Sequence, residues 1–468
     1  MVFSSLVFLF FFLPAVLLAY NIAPGRAKNY VLLVFSLFFY GWGGPSYLLL
    51  MLAVIGITYV TGMLMSYFPK YMKLFLSIGV IANLMFLGYF KYFNFAVSNI
   101  GKIRGIFNIT VPAFDYVVLP IGISFYTFQA ISYLGDLCYG RIKVQKNPLY
   151  LMMYISFFPQ LIAGPIVQYN HISEEIDRRT VTHMDFAYGV RRFVIGLGKK
   201  VLISNEMAWV VDRIFSQPVE NISTPLAWIA IIGYTFQIYY DFSGYSDMAI
   251  GLGRMFGFHF RENFNYPYLS ASVREFWQRW HISLSDWFRD YVYIPLGGNR
   301  KGNIRTYINL FTIFFLTGIW HGASWQFLVW GIYFGVFMVA ERAFLGKWLA
   351  KHKVTGHIYT LSVVVIGWVL FRGNGLSGAL TWLKRMFLFT AANGVVSPSV
   401  YFDNRFIVAL FAAVLFSGPL QTFTGLKKKL FDDKKTYAYE LPLLTIIMIM
   451  CICLLVGNTY NPFIYFQF

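Results

Sequence analysis

From Thr306 to Ala340 the chain runs 35 residues without an Asp, Glu, Lys or Arg. A straight helix of that length would extend about 52 Å at 1.5 Å per residue, well past the roughly 30 Å hydrocarbon core of a bilayer. The helix must therefore break, and Gly318 and Gly322 offer the place. Between them, in Gly318-Ile-Trp-His-Gly-Ala-Ser-Trp325, lies the only histidine of the stretch, His321, flanked by Trp320 and Trp325. An ionisable group at membrane depth is costly and usually faces a cavity or a pathway. Apolar surroundings keep such an imidazole neutral, the state in which it serves as a base near neutral pH. A hydrogen bond tying two helices together, or a resting place at the interface beside the tryptophans, would also account for it.

The rest of the sequence asks for the same solvent. Only 12% of the 468 residues are charged while 58% are hydrophobic and 20% aromatic, against roughly 25% charged in a soluble domain. Apolar runs at Val2 to Tyr20, Tyr47 to Met65, Leu226 to Tyr240 and Leu441 to Val456 match the roughly 20 residues needed to cross. The first run lacks a basic start and ends in Tyr20-Asn21-Ile22 rather than a small-x-small cleavage site, so it reads as a retained span and not a removable signal. The net charge of +18 sits in short loops between apolar runs. That placement points to cytoplasmic loops and anionic lipid head groups rather than to nucleic acid. Of the three cysteines, Cys138, Cys451 and Cys453, the last two fall within an apolar span, and neither a disulfide framework nor a Cys-based metal site is indicated.

Arg26 and Lys28 follow the first span, Lys70 and Lys73 the third, and Arg141, Lys143 and Lys146 the run ending near Tyr139. Taken as cytoplasmic, these loops put the N-terminus outside, and Lys91, Lys102 and Arg104 then fall on the outer side, against the rule. Further runs near 30–42, 72–90, 116–135, 150–168, 186–212, 306–340, 357–371 and 404–418 bring the expectation to about eleven membrane segments, some short or re-entrant. Several are interrupted, as at Pro120-Ile-Gly-Ile and Pro159-Gln-Leu-Ile-Ala-Gly-Pro165. Irregular backbone is tolerated in a bilayer only where protein or a water-filled cavity satisfies it, so a bundle enclosing a cavity is expected. The longest polar stretches, Asn170 to Tyr188 and Gly253 to Gly302, are too short for a soluble domain. Residues 1–468 read as a single integral membrane domain, with no repeat of the kind that builds transporters from two halves.

A second histidine lies in Arg274-Glu-Phe-Trp-Gln-Arg-Trp-His-Ile-Ser-Leu-Ser-Asp-Trp-Phe-Arg-Asp-Tyr291, ended by Pro295-Leu-Gly-Gly298. Placed on one helix, Trp277, Trp280, His281, Leu284, Phe288 and Tyr291 share a face, while Glu275, Arg279, Ser283, Asp286 and Asp290 point mostly away. This predicts an aromatic-rich interfacial helix with His281 on its buried stripe, working or merely amphipathic. His281 and Asp286 match a His-x4-Asp pattern, but on a helix they diverge by about 140° and would not meet. Gln237 to Asp247 ends an apolar run with two carboxylates, Asp241 and Asp247, which either line a polar passage or, the reading preferred here, cap a following helix. His171, His183, His259, His352 and His357 lie in polar or basic loops and are not expected to be catalytic. No His-Glu-x-x-His, Gly-x-Ser-x-Gly or phosphate-binding glycine loop is present, which removes support for a zinc protease, a serine hydrolase or a nucleotide-driven pump.

Several stretches together resemble the membrane-bound O-acyltransferase (MBOAT) family, and most closely its bacterial branch containing the alginate O-acetyltransferase membrane subunit. They are Leu119-Pro-Ile-Gly-Ile-Ser-Phe-Tyr-Thr-Phe-Gln129, Phe158-Pro-Gln-Leu-Ile-Ala-Gly-Pro165, Tyr240-Asp-Phe-Ser-Gly-Tyr-Ser-Asp247, Asn263-Phe-Asn-Tyr-Pro-Tyr268, Phe276 to Gly298, Trp320-His-Gly322 and Asn461-Pro-Phe-Ile-Tyr-Phe-Gln-Phe468. The resemblance implies an all-α polytopic membrane protein, a ring of about eleven tilted, partly broken helices around a central funnel. It makes His321 the counterpart of the catalytic histidine and His281 that of a second position that elsewhere can be Asn or Asp, suited to positioning. Both would lie near the narrow centre, with Trp277, Trp280, Trp320, Gln237 and Asp241 along the substrate tunnel.

The reaction so implied is acyl transfer from a cytoplasmic thioester to a hydroxyl presented from the other side of a bacterial cytoplasmic membrane. His321 would deprotonate the hydroxyl, while His281 or a tryptophan N–H steadies the oxyanion. Acetyl-CoA is expected as donor substrate, with no permanently bound cofactor and no metal. An extracytoplasmic SGNH-type partner would finish the transfer to a polysaccharide. D-alanyl transfer towards teichoic acid is the neighbouring alternative. A carrier or flippase without covalent chemistry would also explain many spans and a buried histidine, but the missing repeat and the lack of membrane-embedded carboxylates argue against it. A scaffold for polysaccharide export would keep full function without His321.

Overall fold

A computed structural model of the protein describes residues 1–106, 114–389, 398–425, 435, 438–457 and 460–464, without the side chains of 104–106. The Arg104 side chain and the last four residues of the closing motif, 465–468, lie outside this description. No strand occurs among the described residues. The chain forms two compact units, one made of Val7–Thr180 with Gly257–Phe260 and Met1, the other of Val2–Leu6, Val181–Phe256 and Arg261–Phe468.

The first unit holds α1 (Leu13–Ile22), α2 (Ala27–Gly41), α3 (Pro45–Tyr67), α4 (Met72–Ile106), α5 (Ile123–Cys138), α6 (Pro148–Ser156), α7 (Phe158–Leu161) and α8 (Tyr169–Asp177). Proline at the start of α3, where the missing N–H costs nothing, opens 23 uncharged residues. Leu50, Met51, Val54, Ile55, Thr58, Thr61, Gly62 and Met65 form its buried stripe at helical spacing, and that stripe meets α4 and α5. The interruption expected at Pro159 to Pro165 shortens α7 to four residues. Near it Gly122 opens α5 in a left-handed conformation (φ 80°), and a Cβ there would lie 2.8 Å from the Leu161 carbonyl oxygen, so only glycine fits.

The second unit holds α9 (His183–Gly198), α10 (Asn205–Phe215), α11 (Thr224–Met255), α12 (Val273–Arg279), α13 (Ile282–Phe288), α14 (Gly302–His321), α15 (Trp325–Ala340), α16 (Gly346–Lys351), α17 (Lys353–Arg372), α18 (Gly375–Phe387), α19 (Asn404–Phe416), α20 (Pro419–Thr424) and α21 (Glu440–Gly457). Thr182 and Asp185 cap α9 reciprocally. Gly189 and Gly251, then Gly196 and Gly244, bring α9 and α11 so close that a Cβ at Gly196 would sit 2.6 Å from the Gly244 carbonyl oxygen. The apolar core of this unit gathers α10, α11, α12, α15, α17 and α18 around Trp330 and Trp368.

Among the described residues, five helical segments are long and apolar enough to cross a membrane: Pro45–Tyr67, Pro69–Ile103, Trp325–Lys351, Lys353–Arg372 and Glu440–Gly457. Three shorter apolar helices, Phe8–Ile22, Ala27–Gly41 and Asn404–Phe416, accompany them. The remaining expected runs are helical too, as α5, α6 with α7, α9, α10, α11 and α14. The protein is an all-α, multi-pass membrane protein.

Candidate active site

The break expected between Thr306 and Ala340 falls at Gly322: α14 ends on His321 and α15 starts at Trp325. Gly322 has an extended backbone (φ −173°) open to any residue. What demands glycine is space, because a Cβ would run into the Phe327 ring. Ser324 caps α15 by accepting from the Phe327 N–H at 3.4 Å. Gly318 does not break the helix. It lets α14 touch α15, its Cβ position being 2.5 Å from the Phe327 carbonyl, while a Cβ on Gly331 opposite would collide with the carbonyl of Phe314. His321 is 6% exposed, and Trp320, Trp330 and Phe371 meet its ring edge-on at centroid distances of 5.0, 4.9 and 5.2 Å.

Around the other histidine the structure corrects the sequence reading. The expected single helix from Arg274 to Tyr291 is two: α12 ends at Arg279 and α13 begins at Ile282. His281 stands at the corner in the left-handed region (φ 45°, ψ 54°), 1% exposed. A non-glycine residue costs about 1–2 kcal/mol there, so something must hold it. The loop Asn263-Phe-Asn265 does. Its Asn265 N–H donates to the Arg279 carbonyl (2.9 Å), and the Ile282 N–H donates to the Asn263 carbonyl (3.0 Å). The Asn263 Oδ1 accepts from the Ser283 N–H (3.2 Å) and hydroxyl (2.9 Å) and lies 3.2 Å from the His281 Nδ1. Its Nδ2 donates to the Ser246 hydroxyl on α11 (3.0 Å).

Ser283, expected to point away from the buried face, is therefore buried at this corner. The stripe itself survives the break, since Trp277, Trp280, His281, Leu284 and Phe288 are all buried. Asp286 is taken by Arg289 at 2.7 Å, leaving no His281–Asp286 pair. The Phe242 ring stands edge-on to His281 at 4.5 Å. Neither α12 nor α13 is among the membrane-crossing helices. Burial, and then the nearby His321, push the His281 imidazole well below its ordinary pKa, which keeps it neutral.

Trp320 links the two histidines, its ring 6.0 Å from His281 and 5.0 Å from His321. Trp277 joins the group through Trp330 (5.7 Å), and Trp280 packs on Phe276 (5.5 Å) and Trp368 (4.8 Å). Of the expected tunnel residues these three tryptophans belong to the histidine cluster. Gln237 and Asp241 sit elsewhere along α11. Asp241 and Asp247 cap nothing: both are inside α11 and buried. Asp241 pairs with Lys200 (2.5 Å) and accepts from the Ile464 N–H (2.8 Å), and Asp247 pairs with Arg192 and Lys199 (2.6 Å each). Buried carboxylates are thus present, contrary to the expectation that weighed against a carrier. Not every other histidine is in a loop either, since His171 lies in α8, His183 opens α9 and His357 lies in α17.

Sequence reasoning missed Trp330 and Asn263. Trp330 is wholly buried against His321, and its Nε1–H finds no partner among the described residues. A cavity of about 1340 Å³ adjoins the other side of α12 and α13. Neither histidine lines it; Arg274, Ser285, Arg289, Glu341, Arg342, Lys347, Lys353 and His357 do, over apolar walls from Leu310, Ile313 and Met338.

Residues 140–381 match the model of the membrane-bound O-acyltransferase family. The chain belongs to this family. The acyltransferase is 43% identical to a probable alginate O-acetylase of Pseudomonas aeruginosa, across 83% of this chain and 75% of that one. It is 37% identical to a probable alginate O-acetylase of Azotobacter vinelandii over the full length of both. With a peptidoglycan O-acetyltransferase of Helicobacter pylori the identity is 35%, over 84% of this chain and 81% of the other. The protein is a membrane O-acyltransferase, with two buried histidines meeting one tryptophan.

Proposed function

We propose that this acyltransferase takes an acetyl group from cytoplasmic acetyl-CoA and passes it across the bacterial cytoplasmic membrane for O-acetylation of an extracytoplasmic polysaccharide. An SGNH-type partner delivers it to the polymer. The observation that carries this reading is the burial of His321 and His281 among aromatic rings, with Trp320 against both. Relatives whose names specify O-acetylation support the acetyl donor over a D-alanyl one. The basic cavity beside α12 offers Arg274, Arg342, Lys347 and Lys353 to the phosphates of the donor's nucleotide end.

His321 takes the proton of the attacking hydroxyl, whose oxygen adds to the thioester carbonyl. The Trp330 indole N–H, buried beside His321 and without a partner among the described residues, steadies the tetrahedral oxyanion. As the carbon–sulfur bond breaks, the thiolate leaves and recovers the proton from His321. Incubating membranes of an expressing strain with acetyl-CoA labelled in the acetyl group tests the proposal. Thioester consumption that His321→Ala reduces by about 10³-fold, at unchanged membrane abundance, supports it. Retained turnover in that variant overturns the role of His321, and labelled D-alanyl thioester consumed in place of acetyl-CoA overturns the donor.

A further inference from the structure

We infer that Asn263 fixes the tautomer of His281, so that its buried Nε2 offers a lone pair and not an N–H to the reacting groups. This assignment rests on the acyl-transfer reading above for its chemical meaning, but its geometry stands without it.

The Asn263 amide could in principle exchange its oxygen and nitrogen by a half-turn. The Ser283 backbone N–H forbids the exchange. It can only donate, and it points at Oδ1 from 3.2 Å. The Ser246 hydroxyl receives Nδ2 on the opposite side at 3.0 Å. With Oδ1 fixed as an acceptor, the His281 Nδ1 at 3.2 Å must carry a hydrogen. A neutral imidazole has one N–H, so Nε2 carries none. That Nε2 is buried and meets no hydrogen-bond partner among the described residues. Burial disfavours the doubly protonated ring. The ring is clamped in this orientation by the left-handed corner beneath it and by Phe242 edge-on at 4.5 Å.

A consequence follows for the division of labour. An Nε2 lone pair cannot donate to an oxyanion; it accepts. His281 therefore accepts from a second N–H or O–H donor of the incoming acceptor and so orients it, while the single proton of the attacking hydroxyl goes to His321. Oxyanion stabilisation falls to the indole N–H. Asn263 acts through His281 and is a positioning residue.

Two readouts test this. In protein labelled with ¹⁵N in histidine, one ring signal lost in His281→Gln identifies His281. Its Nδ1 should be proton-coupled and its Nε2 should resonate as an unprotonated nitrogen, whether or not acetyl-CoA is turned over; the reverse pattern overturns the assignment. In the acetyl-CoA assay, Asn263→Ala should lower kcat about 100-fold. Asn263→Asp keeps the acceptor and adds a charge beside Nδ1–H, so it should retain most of the rate while moving the acid limb of the pH profile up by about one unit. An Asn263→Ala rate within threefold of wild type, or an Asn263→Asp profile superimposable on it, overturns the positioning role. Wild-type protein inert towards acetyl-CoA would sink the donor reading while leaving the nitrogen spectrum decisive for Asn263.

Discussion

The second unit contains two helix pairs closed by glycines, and they use the closeness for opposite ends. Where α14 meets α15, Gly318 and Gly331 bring backbones together along a stretch with no charge at all. Where α9 meets α11, Gly189, Gly196, Gly244 and Gly251 do the same, but the seam and its edge carry Arg192, Lys199 and Lys200 against Asp241, Asp247 and Glu262. Each of these charges has a partner within the unit. Lys200 also donates to the Pro462 carbonyl and Asp241 accepts from Ile464, so the second seam anchors the C-terminal segment as well. At the first, the only histidine is His321. The carboxylates of α11 each face a cation, Lys200 for Asp241 and Arg192 with Lys199 for Asp247, whereas the His281 Nε2 meets no hydrogen-bond partner among the described residues.

Substitutions can break that contrast. Lys200→Met leaves Asp241 buried with the Ile464 N–H as its remaining donor. It should cost about 3–5 kcal/mol, the usual penalty for stranding one member of a buried pair, seen as a large fall in melting temperature in detergent. His321→Ala should leave that temperature nearly unchanged, and an equal drop in both would erase the distinction between the seams. Next in size, Gly196→Ala and Gly331→Ala each force a methyl into backbone, at about 1–3 kcal/mol. Only Gly331→Ala should lose acyl transfer beyond what its stability loss explains, because it displaces the helix that ends in His321; equal activity per folded molecule in the two would count against this. The smallest effect belongs to Lys199→Met. Its side chain is 20% exposed and Asp247 keeps Arg192 through two nitrogens, so about 1 kcal/mol or less is expected by thermal melting.

Local features of the sequence were readable because their physics is local. The overshoot of a 35-residue helix foretold the break after His321, and helical spacing found the buried stripe from Trp277 to Phe288. The corner at His281 was not readable, because its left-handed turn is held by Asn263, 18 residues away, which periodicity cannot register. The same holds for Asp247, whose Arg192 partner lies 55 residues away; seen alone, a carboxylate near a run's end looks like a cap. Ser283 was placed outside for its polarity and lies inside because Asn263 accepts from it twice.

The left-handed backbone at His281 also acts as a filter on replacement. Two demands meet at that position: a main chain that ordinary side chains adopt at a cost of about 1–2 kcal/mol, and a polar tip able to hydrogen-bond Asn263. Asn, Asp and His are enriched among non-glycine residues with positive φ, and the donor that the Asn263 Oδ1 calls for is carried by His and Asn, and by Asp when protonated. The exchange of histidine for Asn or Asp that the family resemblance implies at this position needs no relaxed chemistry to explain it. A vocabulary of three letters is what the corner's shape leaves available.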